Sequence, residues 1–98
     1  MTPRTRKALE GSIRKWERIV TGEGVDRGPR NCPLCALFLK KNCVGCPVRA
    51  ASGQIECEGT PYASASGAQD DFGRADTPRA RKLALAELYF LRSLMPKE

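Results

Sequence analysis

Histidine is absent from all 98 residues of the chain. That absence removes the Ser-His-Asp triad, the Cys-His dyad and the two-cysteine, two-histidine finger together, because each needs an imidazole. Any metal ligand must then be a thiolate, a carboxylate or a backbone group. Aromatic residues make up only 6% of the sequence, too few and too scattered for a platform on which single-stranded bases could stack. Long apolar runs are missing as well. The longest, Leu83 to Leu91, is interrupted by Glu87 and is too short to span a bilayer. The basic start, Met1 to Lys7, is followed by no apolar signal core. Neither paired carboxylates nor a phosphate-binding glycine loop occur. The chain therefore reads as a non-enzyme that meets no membrane, with a cytoplasmic location expected.

Cysteine and positive charge are what the sequence does have. Five cysteines stand beside 17 Lys+Arg and 11 Asp+Glu, a formal net charge of +6. Residues 1–30 carry eight basic and four acidic residues, so most of the surplus lies at the N-terminal end. A chain this short makes one domain, residues 1–98, and hides only a modest share of its surface on folding.

Two amphipathic helices frame the chain. Leu9, Ile13, Trp16 and Val20 recur at helical spacing, within an arc of roughly 60°, and predict a helix over 3–21. Pro3 suits its first position and Gly22 its C-terminal stop. Arg4, Lys7, Arg14, Lys15 and Arg18 fall on the opposite face. A second helix is predicted over 78–95, with Thr77 as N-cap, Pro78 at the first position and Pro96 beyond the end. Its apolar stripe (Leu83, Ala84, Leu88, Phe90, Leu91, Leu94, Met95) is wider than one packing face requires. Glu87 lies inside that stripe and needs a counter-charge, for which Arg6 is the candidate, or a wet location. One or two helical turns fit 36–40 and a surface loop is expected over 63–76; no segment reads convincingly as a strand, 54–57 being the one that could contribute a short one.

The cysteines fall as Cys32-Pro-Leu-Cys35, Cys43-Val-Gly-Cys46-Pro47 and Cys57. Two Cys-x-x-Cys pairs so close together signal a metal site, since the two-residue gap lets the chain curl until both sulfurs face one ion. Gly45 permits the backbone angles of such a turn, and Pro47 is read as stopping helical continuation. Zinc wants four ligands in tetrahedral array, and the chain offers five. One set is Cys32, Cys35, Cys43 and Cys46; the rival set replaces Cys32 with Cys57. An iron–sulfur cluster is a weaker reading, and thiol redox chemistry lacks the βαβ context that motif needs. The expected fold is all-α: a small zinc-stabilised domain whose two helices flank an irregular metal-binding segment at 32–62, with one Zn²⁺ per chain.

Cys32-Pro-Leu-Cys35, Cys43-Val-Gly-Cys46-Pro47-Val48, Gly53 and Cys57-Glu-Gly-Thr60-Pro61-Tyr62 together resemble small cysteine-rich proteins of phages and prophages. The likeness spans residues 32–62, and the chain departs from it in the bland stretch after Tyr62. It implies a zinc-stabilised accessory protein acting inside a host bacterial cell, where it binds a host protein or complex and inhibits or redirects it. Two alternatives stand beside that reading: a nucleic-acid-binding regulator working through the basic helix, and a structural component of a viral complex. The candidate partner surfaces are the basic residues Arg4, Lys7, Arg14, Lys15 and Arg18 and the apolar Leu88 and Leu91, in a monomer or homodimer.

Overall fold

Among the described residues five helices form, and proline opens each of them: α1 (Pro3–Thr21), α2 (Pro33–Phe38), α3 (Pro47–Ser52), α4 (Pro61–Gly67) and α5 (Pro78–Ser93). Proline fits there because its ring presets the helical φ and the first N–H has no intrahelical partner to lose. A 3₁₀ turn, Gly28–Asn31, lies between α1 and α2. The computed structural model describes every residue except 39, 41–43, 54–59, 71 and 97–98, and no strand occurs among the described residues. The segment 54–57, the one that could contribute a short strand, lies outside them. No helix among the described residues is long and apolar enough to cross a membrane.

The first helix has the expected limits. Thr2 caps it by accepting the Thr5 N–H at 3.1 Å, and Gly22 ends it in the left-handed conformation at φ 85°. Its buried face is turned a little from expectation: Leu9, Ser12, Trp16 and Ile19 are inside, while Ile13 and Val20 are only partly covered. Helix α5 is capped by Thr77 through the Ala80 N–H at 3.0 Å. It ends at Ser93, two residues early, where the chain tightens through the Leu94 and Met95 N–H groups toward Leu91 and Arg92.

Two expectations need correcting. The segment from Pro61 to Gly67 is helix α4, not part of a loop over 63–76; Thr60 caps it by accepting the Tyr62 N–H at 3.3 Å. Pro47 begins α3 instead of preventing a helix. Helix α4 also explains the width of the α5 stripe. Helix α5 packs against both α1 and α4, so two faces are covered where one was anticipated. Leu88 and Leu91 are 3% and 2% exposed, and Ala65 of α4 belongs to the same core. Small Ala65, Ala80 and Ala84 let the backbones approach, the role left to the bland sequence after Tyr62.

Candidate functional site

Cys32 stands just before α2, and its Sγ accepts the Cys35 N–H at 3.2 Å. Both sulfurs of the first pair thus belong to a single turn. The turn seats on α1 at Gly11, where a Cβ would stand 3.1 Å from the Pro33 Cγ. A glycine that weakens the helix is kept because α2 approaches closely there. The Cys32 thiol is lowered to about 6, chiefly by its hydrogen bond with the Cys35 side chain. Burial opposes this, while the Cys35 N–H, the Lys15 charge and the Leu34 N–H assist. A thiolate is the form that binds metals.

Cys46 is buried and stands before α3 as Cys32 stands before α2. Gly45 ahead of it has φ 89°, a left-handed angle of the kind a glycine permits. A Cβ on Gly45 would lie 3.2 Å from the Phe38 ring, so the second cysteine segment abuts the far end of α2. Cys43 and Cys57 lie outside the described residues. Among the described residues no three metal-binding side chains converge; the structure brings Cys32 and Cys35 together.

Sequence reasoning missed the polar centre beside this turn. Asp26 is buried at 8% exposure. Its Oδ1 accepts from the Lys15 Nζ at 2.8 Å and the Gly28 N–H at 2.9 Å. Its Oδ2 accepts from the Tyr62 hydroxyl at 3.0 Å and the Gln69 Nε2 at 3.1 Å. Burial alone would raise this carboxyl, but the Lys15 ammonium, the Gly28 N–H and the Gln69 amide carry it below the usual range. Trp16 closes one side, its ring edge-on to Tyr62 at 5.8 Å between centroids, with the Lys15 ammonium 5.5 Å from the indole centre. The only local signal was an aspartate placed to accept the N–H two residues on, a common turn arrangement.

Glu87 is 3% exposed and its Oε1 has no hydrogen-bond partner. Burial pushes its carboxyl up to about 8, with Cys32 and Asp26 adding to the rise and Lys15 opposing it. At neutral pH the group is mainly protonated, which avoids the cost of a bare buried carboxylate. Arg6, the expected counter-charge, bonds instead to Glu10 at 3.3 Å.

The candidate partner residues divide. Arg4, Lys7, Arg14 and Arg18 are exposed on α1. Lys15 is not part of that surface: its side chain is 10% exposed and committed to Asp26. Leu88 and Leu91 are corrected likewise, because α1 and α4 cover them. No family model, curated protein or solved structure matches the chain.

Proposed function

We propose that this chain is a small zinc-stabilised accessory module, not a catalyst, that binds a host macromolecular machine and inhibits or redirects it. The observation that supports this reading is the turn at the start of α2 in which the Cys32 Sγ accepts the Cys35 N–H, with a second Cys-x-x-Cys pair following eight residues after Cys35 in the sequence. Gly45, one residue before Cys46, lies close enough to the Phe38 ring that a Cβ there would stand 3.2 Å from it. Cys32, Cys35, Cys43 and Cys46 would hold the ion, with Cys57 the rival for the place of Cys32. Tetrahedral thiolate coordination suits zinc and would supply folding energy to a thin core. The accessory role comes from the resemblance to phage and prophage proteins over residues 32–62.

Metal analysis of protein purified without added zinc tests the scaffold. About one zinc per chain is expected, lost in Cys43→Ser and Cys46→Ser and kept in one of Cys32→Ser and Cys57→Ser. A folded, metal-free preparation would overturn the zinc assignment, and a brown sample would move it to iron–sulfur.

A further inference from the structure

The fold removes Leu88, Leu91 and Lys15 from the candidate partner surface and leaves four cations on α1. Arg4, Lys7, Arg14 and Arg18 fall within an arc of roughly 80° and extend over about 21 Å of helix axis. All four are exposed. None forms an ion pair with a described residue, and both acidic residues of α1 are already engaged. Glu10 is bridged by Arg6 and Glu17 by Arg92, each at 3.3 Å. The stripe is thus uncompensated charge, not one side of a salt-bridge lattice.

Its composition selects the partner. Protein-binding hot spots combine Trp, Tyr and Arg in desolvated pockets, and this stripe offers exposed arginines with no aromatic side chain beside them. Trp16 is inside, and the exposed Phe72 and Tyr89 each lie under an arginine of their own, Arg74 and Arg92. Stacking on single-stranded bases is excluded from the stripe for the same reason. Pro33 seats on Gly11 in the middle of the stripe and divides the cations into two pairs, Arg4 with Lys7 and Arg14 with Arg18. The pair centres are about 16 Å apart along the axis. That separation exceeds the roughly 12 Å major groove enough to reach phosphates on both of its walls.

We propose that the two exposed cation pairs of α1, on either side of the α2 start, dock on the phosphate backbone of a nucleic-acid duplex, without reading base sequence. The inference rests on the chain being a binding module and names the chemistry of what it binds. Backbone contact through four cations is an electrostatic mode in which each neutralised phosphate releases counterions.

The experiment uses the full zinc-loaded chain, its metal content measured on the same sample, and a fluorescently labelled mixed-sequence DNA duplex of about 20 base pairs (spanning the stripe). Anisotropy titrations between 50 and 200 mM salt should give a log–log slope near −3.6, an affinity loss of about 150-fold. Arg4→Gln with Lys7→Gln, and separately Arg14→Gln with Arg18→Gln, should each reduce the slope by about two with helical content unchanged. Arg79→Gln with Lys82→Gln, exposed on α5, should leave it unchanged. Absence of binding at 50 mM salt, or a slope indifferent to the stripe, overturns the inference. So does stripe-dependent binding of polyglutamate in place of the duplex, which would assign the face to an acidic protein. Loss of duplex binding in folded, zinc-loaded protein overturns this inference alone, whereas duplex binding by a folded, metal-free chain overturns the zinc reading alone.

Discussion

Asp26 ties three parts of the chain to one carboxylate: Lys15 from α1, the Gly28 N–H from the 3₁₀ turn, and Tyr62 and Gln69 from α4 and its end. Its own N–H donates to the Gly73 carbonyl at 2.8 Å, so the loop before α5 is anchored to the same residue. Removing the carboxylate strands a nearly buried ammonium and three further donors. Asp26→Ala should therefore cost on the order of 3–5 kcal/mol, the range for breaking a buried ion pair. Lys15→Met should cost clearly less, because three donors still hold the carboxylate and the methionine replaces the lysine stem. Urea denaturation of the two variants decides it, and equal costs would show that Asp26 matters only through Lys15. The acid limb follows from the lowered carboxyl. A depressed folded-state value gives stabilisation that is complete above about pH 4 and is lost as pH falls through that value. Wild-type melting temperature should accordingly drop faster than that of Asp26→Asn below about pH 4.

The helices show how much a local rule can do. Threonine before proline opens α1, α4 and α5, and cysteine before proline opens α2 and α3. The rule is the same at Pro3, Pro47, Pro61 and Pro78. It is easily read at Pro3 and Pro78, where long amphipathic segments follow, and passes unnoticed at Pro47 and Pro61, where six or seven small residues carry no periodic signal. Short helices draw their stability from tertiary packing more than from propensity, so their sequences advertise them weakly. The excess width of the α5 stripe was the trace that α4 left. With α5 held between α1 and α4, Leu88→Ala should cost about 2–5 kcal/mol. Tyr89→Ala, one residue on but 57% exposed, should stay within about 0.5 kcal/mol. Similar costs for the two in chemical denaturation would contradict that packing.

At the scale of the whole molecule, Leu9 and Ile19 are the largest fully buried side chains, and several other core members are alanines. A core of that kind gains much from a cross-link, and the cysteine segment is where the proposed zinc would provide one. Stripping the metal with excess chelator should lower the melting temperature by more than about 10 °C, equivalent to roughly 2 kcal/mol in a domain this size. Returning zinc should restore it. Superimposable melting curves with and without chelator would show that the helices stand without the ion. Four thiolates on the proposed divalent ion would carry a charge of −2 and bring the formal +6 to about +4. What remains is concentrated on α1, where the fold leaves it facing outward.

Local chemistry was enough for the sequence to determine α1, most of α5, their caps, the curled Cys32–Cys35 turn and the left-handed Gly45. Each of those depends on residues within a few positions of one another. Tertiary structure alone decided which charges are surface. Lys15 shares a helix face with Arg14 and Arg18 by sequence, yet an aspartate eleven residues later draws it inward. It also decided that Leu88 and Leu91 are core, since a helix the sequence scarcely announces lies over them. Glu87 follows the same pattern: its protonated state arises from burial among distant groups, not from any neighbour along the chain. Burial and pairing are properties of what comes together in space, and a single helix period carries no record of them.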